Sequence, residues 1–566
     1  MSAFFPKRRP FAVGLGLIAL TWALSRPASG QDFVPSQGST DTETRKELER
    51  SIQELRDRLA DTERRLAESA GRSEQPLTAR TVDDAGDFFA GQAASTGGVR
   101  SDTSRLSELE RRFTEMEAKI QAATAAKPEK KKESYPTFKI TGFTQLDSAW
   151  YSQDADNMAT VGDAQDGTGF RRVRFAVNGK AAEFTNYQLE VDFATVGRPS
   201  FFDTYAEQAN LPFLGDVRVG HFLQPFSVDA MSGFRNLPLI ERSLPFLAFV
   251  PFRRTGIMAS NRTEDDLTHW SYSVFRTGGF NNAPLGDSRF ATDFGDVGGY
   301  SFSTRVTHLV YYDDPTDCQR LWHIGTSYDY SQLGANDAIG SGFNGNAGIP
   351  KPSYQARTTP EFGPLGLPDL GSSFGSAVNG TPLFVDTGRY EAGSFNLWGV
   401  ETVYQDGPLS FQAEWMATQV NSVVGPVFYH GAYAEVMYRL TGEHRVYDKK
   451  LGSLKNPVPF TDFISSKGEQ WGIHGWGAWE IAARWSFVDL RNPASLNGHY
   501  YDSATNTFTG TNGVGNGILN DATVGVTWFL NQHTKLQFNW IHAMLNNAAN
   551  GHSVADLYVT RVQVDF

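Results

Sequence analysis

The sequence predicts an all-β protein, an antiparallel transmembrane β-barrel, preceded by an α-helical coiled-coil extension. Three observations carry this reading. From Tyr135 onward apolar and polar residues alternate with a period of two, in segments of about ten residues with no helical interludes. Connections alternate short with long: "QDGP" (Gln405–Pro408) and "NQHT" (Asn531–Thr534) are tight turns, whereas Ser331–Gly380 is a Gly/Pro/Asn-rich loop longer than soluble domains usually carry. The last strand, "DLYVTRVQVDF" (Asp556–Phe566), has an apolar face bearing Tyr558, Val562 and Val564, opposes it with Arg561 and Gln563, and ends on an aromatic.

Taken in order, the chain opens with a secretory signal over residues 1–30. Lys7, Arg8 and Arg9 precede an apolar core from Phe11 to Leu24, and small residues Ala28, Ser29 and Gly30 follow. Residues 31–133 read as a coiled-coil and linker region in the periplasm. Leu48, Ile52, Leu55, Leu59 and Leu66 recur at steps of four and three, with Thr62 at the missing seam position; Leu106, Leu109, Phe113, Met116 and Ile120 repeat the pattern. Neither segment is long enough to bury its seam alone, which favours an oligomer over a lone amphipathic helix. "KPEKKKES" (Lys127–Ser134) is the charged linker to the barrel region, 134–566.

The strands have two distinct faces. Val173, Phe175 and Val177 oppose Arg172, Arg174 and Asn178; Leu189, Val191 and Phe193 oppose Glu190 and Asp192. Trp479, Ile481 and Trp485 oppose Glu480 and Arg484, and Phe538 and Trp540 oppose Lys535 and Gln537. A soluble sandwich would bury the apolar face, and a membrane barrel turns it to lipid around a wet lumen. Aromatics near strand ends, as an interfacial girdle requires, favour the barrel. With 20% charged residues and one long apolar run, a helical membrane bundle is excluded. A formal charge of −12 argues against nucleic acid as a partner, and the single Cys318 excludes a disulfide framework.

"GHFLQPF" (Gly220–Phe226), "IERS" (Ile240–Ser243) and "PFRRTG" (Pro251–Gly256) resemble the phosphate-selective porin O/P family. Further stations follow in order, including Gly169–Phe193, "LTGEHRVYD" (Leu440–Asp448), Gly477–Leu490 and Thr523–Ala543, so the resemblance spans Lys139 to Phe566. It implies a homotrimer of barrels with about 16 strands, which the alternating segments match in number. It also implies that the connection over Leu223–Phe252 folds inward to narrow a pore, with 331–393 and 441–476 folding inward too. The implied function is passive passage of small anions, with phosphate and polyphosphate as candidate solutes. A general diffusion pore, and an envelope protein tethered to the cell wall by its coiled coil, remain alternatives.

Arg172, Arg174, Arg218 and Arg305 fall on the lumen face, and Arg235, Arg242, Arg253 and Arg254 lie in or just after the narrowing loop. Guanidinium groups lining a wet lumen would guide anions. They would instead stiffen the wall if paired with carboxylates such as Glu190, Asp192, Glu207 or Glu480. No lysine occurs between Ala181 and Pro350, where phosphate-selective members carry lysines, so strong phosphate selectivity is in question. No catalytic, metal or cofactor site is expected. "GSSFG" (Gly371–Gly375) lies in a loop rather than at a strand-to-helix elbow. The acidic stretch Asp154–Gly167 lacks the spacing and bidentate Glu of an EF-hand.

A peptide covering residues 41–121 is expected to be helical and oligomeric, with the trimer matching the barrel's symmetry. Circular dichroism and sedimentation equilibrium check this, and a disordered monomer would make the extension a linker.

Overall fold

The computed structural model describes Arg111 and residues 134–566, except 195–198, 278–285, 288–291, 294–298, 314–318, 334–351, 363–381, 465–474, 503–506, 511–515 and 548–549. The signal segment and both coiled-coil seams lie outside the described residues, as do Cys318 and Gly371–Gly375.

Sixteen long antiparallel strands form one ring. The first eight are β1 (Lys139–Gln153), β2 (Gly167–Ala182), β3 (Thr185–Asp192), β4 (Ser200–Leu211), β5 (Gly215–Leu223), β6 (Arg253–Arg262), β7 (Thr268–Arg276) and β8 (Tyr300–Tyr312). The others are β9 (Arg320–Gln332), β10 (Tyr390–Asp406), β11 (Leu409–Ser422), β12 (Gly425–Arg439), β13 (Ala478–Asp489), β14 (Gly517–Phe529), β15 (Thr534–Asn547) and β16 (Gly551–Asp565). Each pairs with its sequence neighbours, and β16 returns to β1 from Phe143↔Asp565 to Gln153↔Ala555. Closure leaves no unpaired strand edge, which lipid would not tolerate. At the seam Gly142 and Phe566 exchange both backbone hydrogen bonds, at 2.8 and 3.0 Å. A side chain on Gly142 would run into the Phe566 ring, so this close approach requires glycine.

The alternation has the expected hand. Ile481, Val524, Phe538 and Tyr558 face outward, each about 40–48% exposed, while Glu480, Arg484, Gln537 and Arg561 point into the ring and are buried. A β-bulge breaks the period in β2. Gln145 pairs with Arg172 but Leu146 pairs with Phe170, so Arg171 is the extra residue and turns inward beside Arg172.

The lumen is unequally filled. Loop 3 (224–252) carries two short helices, α2 (Val228–Met231) and α3 (Leu244–Phe249), following α1 (Ala155–Val161) of the first loop. Phe226, Ile240, Leu244 and Phe246 of loop 3 join Tyr354, Phe362 and Val385 of the fifth loop in one buried cluster. The inward residues Leu397, Met416, Val420, Leu519, Ile541 and Val559 complete that cluster. On this side the inner wall is therefore apolar where loops dock, contrary to a uniformly polar lumen. An open space lies against β1–β7.

Val524 sits near mid-strand on the outer face. Val524→Arg should cost about 2–4 kcal/mol, and Val423→Arg, in the two-residue connection between β11 and β12, about 0–1 kcal/mol. Denaturant unfolding in lipid measures both, and equal losses would mean the facing is wrong.

Candidate functional site

Loop 3 is held by charge and by its own backbone. Glu241 accepts from Arg172 at 2.8 and 3.0 Å and from Arg561 at 2.6 Å, with Arg171 Nε 3.2 Å away. Arg561 also donates to both oxygens of Asp147 at 2.7 Å, and Arg172 to Gln145 at 2.8 Å. Burial alone would raise the Glu241 carboxyl, but Arg172, Arg171 and Arg561 outweigh it and hold it well below the usual carboxylate range.

The loop's polar groups find further partners on the wall. Glu414 of β11 accepts from the backbone N–H of Val228 and Asp229 and from the Ser227 hydroxyl, satisfying the open end of α2. Asp229 accepts from the Ser243 N–H and hydroxyl, tying the two limbs of the loop together. Lys535 donates to the Leu237 carbonyl, Thr527 to Pro238 and Arg484 to Glu241. Arg484 is clamped in turn by Glu361 of the fifth loop, at 2.7 and 2.8 Å.

The connection between β12 and β13 also folds inward. Its hairpin, Arg445–Asp448 with Ser453–Pro457, is fastened by Arg305, which donates to Glu401 and to the Leu451 and Gly452 carbonyls. Gly452 has φ +59, the left-handed turn conformation in which glycine is unstrained. Asn456 donates to the Arg235 carbonyl at 2.8 Å, so hairpin and loop 3 meet at that residue.

Between them and the wall of β1–β7 lies a cavity of about 310 Å³. Arg174, Arg218, Arg235, Arg242, Arg253, Lys450 and Lys455 line it, together with Glu190, Asp203 and an apolar set that includes Phe143, Met231, Phe234 and Met258. Most of these cations are paired. Arg174 meets Asp192 at 3.0 Å and Glu190 at 3.7 Å; Arg218 meets Glu207 at 2.6 Å; Arg253 meets Asp203 at 2.9 Å; Arg242 meets Asp229 at 3.5 Å. Lys450 lies 3.1 Å from Asp216 and Lys455 2.8 Å from Asp448, and both lysines remain about half exposed. Arg235 differs. It is half-buried, stands over the Phe143 ring at 4.9 Å, and among the described residues its guanidinium has no hydrogen-bond or ion-pair partner.

The eight arginines singled out from sequence thus divide. Arg174, Arg218, Arg235, Arg242 and Arg253 come together at the cavity. Arg172 and Arg305 are buried in anchoring contacts away from it, and Arg254 is buried at the start of β6. Arg172 and Arg174 do not face water as expected, because loop 3 covers them; they are 0% and 3% exposed. The carboxylates Glu190, Asp192 and Glu207 are the partners of Arg174 and Arg218, and Glu480 pairs with Arg439 at 3.0 Å. Sequence reasoning missed Lys450 and Lys455. "KKLGSLK" (Lys449–Lys455), inside a segment expected to fold inward, was the available signal.

A closed barrel, apolar outside and narrowed within by inward loops, defines a channel of the bacterial outer membrane. The family model of phosphate-selective porin O and P matches residues 138–329 and 376–566, and the chain belongs to that family. It is similar to Porin O of Pseudomonas aeruginosa, with 24% identity over 76% of this chain and 88% of that protein. Among solved structures it resembles the outer membrane channel DcaP of Acinetobacter baumannii, at 11% identity and a TM-score of 0.39, over 76% of this chain and 97% of that one. It also resembles OprB of Pseudomonas putida, at 10% identity and a TM-score of 0.40, over 76% and 94%.

Glu241→Ala leaves three buried guanidiniums short of a carboxylate and should cost about 3–5 kcal/mol, the usual loss when one member of a buried ionic cluster is removed. Denaturant unfolding measures the loss. Single-channel conductance should rise as loop 3 comes away from the wall.

Proposed function

We propose that the protein is a passive channel for small anions, and that the solute passes through the cavity between loop 3, the inward hairpin and the wall of β1–β7. The observation that carries this is the unpaired guanidinium of Arg235 facing that cavity, with the half-exposed Lys450 and Lys455 at the hairpin. An anion about 4 Å from a cation gains at most about 4 kcal/mol at an effective dielectric near 20, and the more distant Glu190 and Asp565 reduce that gain at Arg235, leaving attraction weak enough to permit release.

Arg174, Arg218, Arg242 and Arg253 shape the local potential from behind their carboxylates, whereas Arg172, Arg305 and Arg254 contribute to holding the constriction. Phosphate and polyphosphate remain candidate solutes through the family. The assembly is a homotrimer in outer-membrane lipid, in keeping with the family. Its amino-terminal coiled coil lies in the periplasm, where the cell wall is a candidate contact. A general diffusion pore is favoured instead by one observation: the other cavity cations each have a carboxylate within ion-pair distance.

Planar-bilayer recording in asymmetric KCl distinguishes the two. The unmutated channel should show an anion-preferring reversal potential, and the double variant Lys450→Glu, Lys455→Glu should shift it toward cations. A cation-preferring unmutated channel would leave the general pore.

A further inference from the structure

We infer that the cavity selects small organic monoanions, a carboxylate on an apolar body such as an aromatic acid, over inorganic phosphate. This rests on the reading of the cavity as the solute's path and names the class of solute that suits it.

Two features point the same way. The first is that all but one of the cavity's described cations already face a carboxylate. Phosphate is strongly hydrated, and a dry site must replace its water with several N–H groups around all its oxygens. Here Arg174, Arg218, Arg242 and Arg253 already donate to carboxylates or carbonyls, and Lys450 and Lys455 meet Asp216 and Asp448. Among the described cations of the cavity, Arg235 is the one whose side chain has no hydrogen bond or ion pair, Glu190 and Asp565 acting on it only from farther off. One guanidinium fork matches one carboxylate, in the bidentate manner arginine favours. The Arg235 backbone is itself held, because its carbonyl accepts from Asn456 and Gln563.

The second feature is the remaining surface. Met231 of α2, Met258 of β6, Leu223 and Pro225 line the same cavity beside Phe143 and Phe234. An inorganic oxyanion would leave this surface in contact with water or with a charge. An apolar body removes it from water, and methionine adapts to varied shapes and packs well against rings. A head on Arg235 and a body on the methionines use both halves of the cavity.

Benzoate, benzamide and inorganic phosphate serve as probes of the full-length channel in planar bilayers. Benzoate should block chloride current at a concentration about tenfold or more below that of phosphate, and uncharged benzamide should block far less. Arg235→Gln should abolish the preference for benzoate over phosphate. Arg235→Lys, which keeps the charge, should retain part of it, and Met231→Asn should narrow it. Heat-modifiable migration on gels verifies that each variant is folded. Phosphate blocking at or below the benzoate concentration would overturn the inference while the anion channel stands, as would benzamide matching benzoate or Arg235→Gln keeping the preference. A folded chain that passes no ions would remove the channel reading and this inference with it.

Discussion

Glu241 lies between the guanidiniums of Arg171, Arg172 and Arg561, and through them loop 3 is joined to β2, β16 and, by way of Asp147, β1. The position of the narrow zone depends on this cluster. Loop 3 crosses the lumen as irregular backbone, which is tolerated at membrane depth only where protein or water satisfies its polar groups. Once Glu241 is seated, the wall side chains Lys535, Thr527 and Arg484 reach the carbonyls of Leu237, Pro238 and Glu241 itself. Ion pairs and backbone partners thus support each other, because a guanidinium buried without its carboxylate costs about 3–5 kcal/mol.

The same constraint explains why so many lumen arginines are unavailable to solutes. A barrel whose interior is half filled has a lower local dielectric than open water, and an isolated buried cation is expensive there. Pairing Arg174, Arg218, Arg253 and Arg305 with carboxylates removes that cost and stiffens the frame. It leaves net attraction to the few groups that stay unpaired or exposed. On the proposed reading, selectivity would come from the residual charge at one place rather than from the number of arginines.

The strand count and the ring's outer face were legible in the sequence, because lipid enforces alternation on every strand alike, whereas the inward fold of loop 3 was implied only by the family resemblance. Trp485, Phe538 and Tyr558 could be placed outside from their neighbours alone. The candidate site was legible only in part. Arg235 sat in a segment already expected to narrow the pore, but nothing in the sequence distinguished it from Arg242, seven positions on, which is spent on Asp229 and the Ser232 carbonyl. Period-two alternation by itself would put Arg171 on the outer face, opposite Arg172, but a bulge turns it to the inner one. Val559, Leu519 and Met416 place apolar side chains on the otherwise polar inner face because loops 3 and 5 cover them, and no local pattern announces that cover.

What the sequence determined by itself was therefore the barrel: period-two alternation and the spacing of turns are local properties, read along one strand at a time. What only the tertiary structure decided was which charges meet. Glu241 reaches Arg561 across 320 positions of chain, and Lys450 reaches Glu207 across 243. Those partnerships follow from how two inward segments share one lumen, and ion pairing falls off over a few ångströms. No local pattern encodes a distance set by the folding of a closed ring around its own loops.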